Sequence, residues 1–240
     1  FLRARTLGAR KLILEMPTSH PSNIRECHAK ARKMHGFESS WMSSWYERKA
    51  IRELAMADEI RVNSEYTAKT LIERGTDPSR IVRRWLGCDT RFSAVQRRAH
   101  PEGLKVAVFV GSFTVFKGVP FLVDIFRRIP GNHLRLLLVG GWTDRAMRMW
   151  LLRAREADPR LSWTSGDPAP HFATASIAVH PSWDDGWGYA PVEALSAGVP
   201  LLVSDQTGMK ELQGERGFDV LPAGNQEAWE ARLLRWASEG

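Results

Sequence analysis

Apolar residues in this chain fall into short blocks separated by longer amphipathic stretches. Residues 12–15, 59–63 and 81–86 form three blocks in the first hundred positions, and 105–110, 134–139, 176–180, 201–204 and 218–221 form five more. Blocks this short, bounded by turn residues, predict buried strands. Between them, apolar positions recur at helical spacing over 44–57, 65–74, 119–128, 144–156 and 226–237. Apolar strands alternating with amphipathic helices predict an α/β chain, with parallel sheets covered by helices on both faces. A polar stretch at 93–103 is the expected boundary between a first part, 1–100, and a second, 101–240. No internal repeat or low-complexity segment is visible.

The segment 180–212 combines features that point to chemistry. An apolar strand runs into a turn carrying Asp184, Asp185, Gly186 and Gly188, and a short helix and a further apolar block follow. Pro191 suits the first position of that helix, which is read through Leu195. This order places a carboxylate and a helix N-terminus at the carboxyl end of a strand, where open α/β sheets bind ligands.

Composition changes the picture little. A chain of 240 residues with 43% hydrophobic and 25% charged residues has the make-up of an ordinary packed protein. No apolar run approaches the roughly 18–20 residues that cross a bilayer, and the first residues lack a signal-peptide pattern. The expected location is therefore cytoplasmic, or peripheral at the inner face of a membrane. Cys27 and Cys88 have no metal-ligand or redox spacing, so unpaired thiols are expected.

Charge is more informative. Residues 1–100 hold 20 Lys and Arg against 11 Asp and Glu, a balance of +9, whereas 101–240 hold 14 against 16, a balance of −2. The first part is the one that would face an acidic partner. No helix-turn-helix, zinc-finger or RNA-recognition motif accompanies the charge, so nucleic acid is not expected. An anionic membrane surface or a lipid-phosphate acceptor remains as the partner, beside the plain alternative of a solvated basic face.

Asp185 and Glu193, with seven residues between them, resemble the Glu-x7-Glu motif of retaining glycosyltransferases, with Asp in the first place. VFVGSFTVFKGVPFLVDIF, residues 108–126, resembles the phosphate-loop region of glycosyltransferase family 4. MADEIRVNSEYTAKTLIERG, residues 56–75, and RRWLGCDTRF, residues 83–92, resemble the linker-side part of the same family's first domain. The matching segments follow the family's order and cover most of residues 57–221. The resemblance implies the GT-B architecture, two Rossmann-like domains facing each other across a cleft. It also implies transfer of a sugar from a UDP- or GDP-linked donor to a carbohydrate or lipid-linked acceptor, with retained anomeric configuration and no metal or other cofactor. The first domain is expected to be incomplete, because its usual opening strand and Gly-rich loop have no counterpart before residue 100.

Site residues follow position by position. Gly111, Ser112 and Lys117 fall in the phosphate loop, whose amides would form an anion nest beside the lysine. Ser112 stands where the family usually has Arg, which exchanges a bidentate phosphate contact for a neutral hydrogen bond. Asp185 falls on the acid that contacts the donor sugar near the reacting carbon, and Glu193 on the acid that accepts from the ribose hydroxyls. Trp187, Gly188, Tyr189 and Ala190 would offer main-chain N–H groups, and Trp187 an indole face for a sugar ring. His20 matches a histidine that points into the cleft from the first domain, though its Pro- and Ser-rich surroundings fit a surface loop equally well. His28 and His35, seven apart on a possible helix, could share a face but lack the further ligands of a zinc site. The adjacent Asp184 and Asp185 read as a turn rather than a metal-binding pair. Trp41 and Trp45 are expected on one helix face.

The main alternative is a non-catalytic nucleotide-sugar-binding or scaffold protein, which Ser112, Asp185 and the missing opening of the first domain favour. An epimerase of the same architecture fits the acid motif less well, and a dinucleotide oxidoreductase would need a G-x-G-x-x-G that is absent.

Overall fold

The computed structural model describes residues 1–238. Two parallel sheets organise them. The smaller joins β1 (Ile13–Met16), β2 (Glu59–Val62) and β3 (Ile81–Arg83) in the order β1-β2-β3. Three helices precede or connect these strands, α1 (Leu2–Thr6), α2 (Pro21–Met34) and α3 (Ser44–Met56), and α4 (Glu65–Ile72) follows β2.

The larger sheet contains β4 (Lys105–Phe113), β5 (Leu134–Trp142), β6 (Leu161–Thr164), β7 (Ile177–His180), β8 (Leu201–Ser204) and β9 (Phe218–Leu221). Its order is β6-β5-β4-β7-β8-β9, all parallel. The chain builds outward from β4 in one direction, returns, and builds outward from β7 in the other. The carboxyl ends of β4 and β7 therefore flank a switch point, where helices leave on opposite faces and open a crevice. The connecting helices are α5 (Val119–Phe126), α6 (Arg145–Ala157), α7 (Ala169–Thr174), α8 (Tyr189–Ser196) and α9 (Gln226–Ser238).

Each face of the large sheet has its own core. Phe109, Phe113, Phe121, Phe126 and Trp229 fill one side, and Val108, Phe172, Ala178, Leu201 and Val203 fill the other. A fully buried side chain of this size contributes about 1.5–3 kcal/mol. A separate cluster around Ile60, Val62 and Leu71 supports the small sheet.

The strand blocks were read correctly in kind, with shifted ends. β3 stops at Arg83, because the following residues cross to the large sheet, where Phe92 is buried against Phe172. β6, α1 and α7 were not anticipated, being short, and of α2 only a possible helix through His28 and His35 was read, with its start at Pro21 missed. Trp41 precedes α3 rather than sharing its face, and meets Tyr46 edge-on at 6.0 Å. No helix among the described residues is long and apolar enough to cross a membrane.

Candidate active site

His180 ends β7, and the chain then makes the turn that carries both aspartates. Asp185 is fixed first through its backbone. Its N–H donates to the Gln206 carbonyl at 2.9 Å, and its own carbonyl accepts from the Gly208 N–H at 3.0 Å. Its side chain then has one available direction. Oδ2 accepts from Lys117 Nζ at 2.6 Å and from His180 Nε2 at 2.9 Å. Burial works against the charge on Asp185, but Lys117, and after it His180, outweigh burial and hold the carboxyl below the ordinary carboxylate range. Burial lowers His180, so its ring is neutral and donates through Nε2–H.

Asp184 points the other way. Its Oδ1 accepts from Tyr66 Oη at 2.6 Å and from Asn23 Nδ2 at 3.1 Å, both from elements around the small sheet. Burial pushes its carboxyl up. The Gly186 carbonyl accepts from Ser64 Oγ at 2.5 Å, and a Cβ on Gly186 would lie 1.9 Å from the Pro17 carbonyl oxygen. The acidic turn is therefore the place where the two sheets meet. The two aspartates serve opposite walls and do not form one ligand pair.

Lys117 arrives on the connection between β4 and α5. Several amides of the expected anion nest over Gly111 to Gly118 have partners within the fold. β4 continues to Phe113, so Gly111 and Ser112 pair with Gly140 and Gly141 of β5. Beyond the strand the loop amides close on nearby groups: Val115 N–H on Glu38, Lys117 N–H on Thr114 Oγ1, Gly118 N–H on the Val115 carbonyl and Val119 N–H on the Thr114 carbonyl. The loop thus presents the lysine and its side chains. Gly118, with φ of 76°, allows this turn, since a Cβ there would lie 2.2 Å from the Pro181 carbonyl oxygen.

The helix N-terminus that remains open is that of α8. Gly188 stands at its N-cap with φ of 93° and offers no side chain to close it. Pro191 is the third helical residue, not the first, because the helix starts at Tyr189. Glu193 accordingly lies one turn in rather than in the first turn. It is half-buried, which pushes its carboxyl up, while the charge of Arg91 works the other way.

Two cavities share Ser112, Lys117 and Asp185. One, about 360 Å³, is lined by Gly111, Trp187, Gly188, Tyr189 and Ala190 besides these. The other, about 340 Å³, is lined by His28, Glu38, Trp41, Thr143 and Asp184 among others. Both lie within the size range of small-molecule sites. Trp187 is buried edge-on against Trp85 at 5.4 Å, so much of its indole face is taken up by packing.

His20 lines neither cavity. It caps α2, with Nδ1 accepting from the Ser22 N–H at 3.1 Å, while its own N–H donates to Thr70 Oγ1 at 3.0 Å. Burial, with Arg74 nearby, lowers it to about 4, which keeps Nδ1 free to accept. The histidine in the cleft is His28, stacked on Phe116 with ring centroids 3.7 Å apart and joined to Ser40 Oγ at 2.6 Å. His35 instead pairs with Asp124 across 2.8 Å.

Sequence reading missed His180, Glu38 and Trp41. A polar residue ending the apolar run 177–179 was a signal for His180. Glu38 carried none, because its partners Val115 and Thr143 lie 77 and 105 positions further on, and Trp41 was read only as a packing residue beside Trp45.

Comparison with known proteins agrees with this fold. Over 196 residues the chain is 26% identical to D-inositol 3-phosphate glycosyltransferase of Nocardia farcinica, covering 73% of this chain and 44% of that protein. It is 28% identical over 211 residues to O-antigen chain mannosyltransferase B of Escherichia coli, covering 79% and 54%. The chain thus spans about half the length of these curated relatives. Anabaena HepE in complex with UDP-glucose has the same fold, with a TM-score of 0.76 at 16% identity over 98% of this chain and 65% of that one. With residues 104–239 matching the model for glycosyl transferases group 1, and a GT-B fold around the switch-point crevice, the chain belongs to that family.

Proposed function

We propose that the protein moves a sugar from a nucleoside diphosphate donor to an acceptor hydroxyl, as a retaining member of glycosyltransferase family 4. One observation carries the reading: the Lys117–Asp185 pair lies at the switch point, in the cavity onto which the uncapped start of α8 opens. Such a site offers an anionic diphosphate a cation and the positive end of a helix.

In this reading residues 101–240 form the donor-binding domain and 1–100 the remaining part of the acceptor side. Lys117, Ser112 and the main chain at Gly188, Tyr189 and Ala190 hold the diphosphate, with Gly111 giving close approach. Trp187 forms a wall, and Glu193 accepts from the ribose. Stabilisation of the leaving diphosphate is assigned to these groups, without a metal. Asp185, kept ionised, faces the sugar hydroxyls near the anomeric carbon. His20 enters as a positioning residue that fixes the start of α2, the helix carrying Asn23 and His28.

The UDP-glucose held by HepE makes UDP-linked sugars the first donors to test, with GDP-linked sugars beside them. Thermal melts with a panel of both, followed by product detection with carbohydrate and lipid-linked acceptors, test the reading. Stabilisation by a nucleotide sugar is expected, since a ligand of the folded state raises its stability. Stabilisation without transfer to any acceptor would favour the scaffold alternative, for which Ser112 and the engagement of Asp185 with Lys117 speak. No stabilisation by any nucleotide sugar would sink both.

The basic first part supports a peripheral contact with an anionic membrane. Trp45, Arg48, Lys49 and Arg52 of α3 line one surface hollow together with Arg3. Co-sedimentation with anionic but not neutral vesicles checks it.

A further inference from the structure

The two cavities meeting at Lys117 and Asp185 differ in chemistry. The first has the open start of α8 and two glycines, the surroundings of a phosphate. The second, formed where the loop after α2 meets the connection after β4, has carboxylates, hydroxyls and aromatic rings instead.

Three carboxylates, on Glu38, Asp184 and Asp185, line this second cavity against one lysine, Lys117. Its histidine does not redress the balance, because burial, with Lys117 nearby, lowers His28 to about 4. Burial pushes the Glu38 and Asp184 carboxyls up, and the one lysine is already paired with Asp185. A phosphate entering here would therefore meet carboxyl groups and, among the described residues, no free cation in a partly desolvated site, which disfavours it. Neutral hydroxyl groups meet the opposite situation, since carboxylates are acceptors only and take O–H donors well. Ser39, Thr114 and Thr143 add groups that both donate and accept.

Trp41 supplies the apolar half of the surface. It is 53% exposed, and its contacts with His28 and Tyr46 are both edge-on, at 6.0 Å with interplanar angles of 70° and 74°. An amphipathic ring held in this way suits a ligand with one C–H face and a rim of hydroxyls. The Glu38 carboxylate is held at the loop tip, accepting from the Val115 N–H at 2.5 Å and from Thr143 Oγ1 at 3.5 Å.

We propose that the cavity between Trp41, Glu38 and Lys117 is the acceptor subsite, and that it takes a neutral sugar unit in preference to a phosphorylated one. The assignment rests on the glycosyl-transfer reading above. It adds the acceptor's place and charge class, which that reading leaves open: of the anionic and neutral acceptors, the neutral class fits. Trp41 stacks on the sugar's C–H face and Glu38 repels a phosphate substituent.

The test uses the whole chain saturated with UDP or GDP, whichever stabilises it, and saturation-transfer NMR with methyl glycosides of glucose, mannose and galactose and with the matching hexose 1-phosphates. At least one methyl glycoside is expected to bind, and at least about tenfold more tightly than its phosphate. Trp41→Ala should weaken that glycoside about tenfold while UDP or GDP affinity stays within about twofold. Glu38→Gln, of unchanged shape, should narrow the gap between glycoside and phosphate. A phosphate that binds as well as its glycoside overturns the proposal, as does glycoside binding indifferent to Trp41→Ala. Nucleotide binding with no glycoside bound up to roughly 50 mM, far weaker than the millimolar affinities of ordinary weak ligands, also overturns it while leaving the donor reading standing. If neither nucleotide binds, the donor reading itself fails.

Discussion

Replacing Lys117 by alanine removes a charge that has two separable duties, and the structure assigns each a magnitude. The first is structural. Lys117 is the only full cation on Asp185 Oδ2, at 2.6 Å, in a pair whose side chains are 33% and 16% exposed. Breaking a fully buried pair costs about 3–5 kcal/mol. Solvent at the lysine screens this one, and His180 continues to donate, so about 1–3 kcal/mol is expected, the cost of an under-satisfied buried acceptor. For a chain of this length each kcal/mol lowers Tm by about 2–4 °C, which gives a drop of roughly 2–12 °C.

The sign of the pH dependence follows from Asp185. Its folded carboxyl lies below the ordinary 3.8, so the stabilisation is present above that value and is lost as pH falls through the folded value. The Tm difference between parent and variant should thus be full above about pH 5 and shrink at lower pH. The second duty is ligand binding. Loss of one charge-assisted phosphate contact should weaken UDP about tenfold, or about 1.4 kcal/mol, and leave uridine nearly unchanged. Calorimetric titration alongside melts at several pH values separates the two. Unchanged Tm, a constant Tm difference down to pH 3, or equal losses for UDP and uridine would each refute the corresponding step.

Other perturbations test the joint between the sheets. Gly186→Ala places a methyl against the Pro17 carbonyl and should cost about 1–3 kcal/mol, whereas Gly141→Ala, with open space around it, should stay within about 0.5 kcal/mol; paired thermal melts decide. Tyr66→Phe removes the 2.6 Å donor to Asp184 and should cost about 1–3 kcal/mol in urea unfolding, and a neutral result would mean that Asn23 and Ser19 suffice. His20, lowered in the fold to about 4, contributes stability that is whole above 6.5 and declines as pH falls toward 4, at up to about 1.4 kcal/mol per pH unit. His28, also lowered to about 4, adds a like slope. His20→Asn, which keeps a capping acceptor, should therefore reduce the slope by the His20 share, and an unaltered slope between pH 6.5 and 4 would assign the protonation to another group.

Much of this protein is legible from local chemistry. Runs such as 105–110 and 201–204 are apolar at nearly every position, and a strand covered on both faces needs that whatever its neighbours, so the α/β class and most of the large sheet could be read along the chain. The placement of Lys117 and Asp185 just after strand ends was legible for the same reason, since each depends on a short sequence around one strand end, whereas the helix start was read at Pro191 and lies at Tyr189.

What could not be read is what depends on distant segments meeting. Whether His20 caps a helix or faces a ligand depends on where α2 begins, and the burial of Ile24, Cys27 and Ala31 against the core settles which face of 21–34 turns inward and where its first turn lies. The loop amides between Phe113 and Val119 were expected to be free, yet Glu38 takes that of Val115 from a segment 77 positions away. Adjacent Asp184 and Asp185 are equivalent on paper. Tyr66 and Asn23 draw one toward the small sheet, and Lys117 and His180 draw the other into the crevice. A buried carboxylate must be paired where it lies, and its partners are supplied by packing between segments that carry no mark of each other in the sequence.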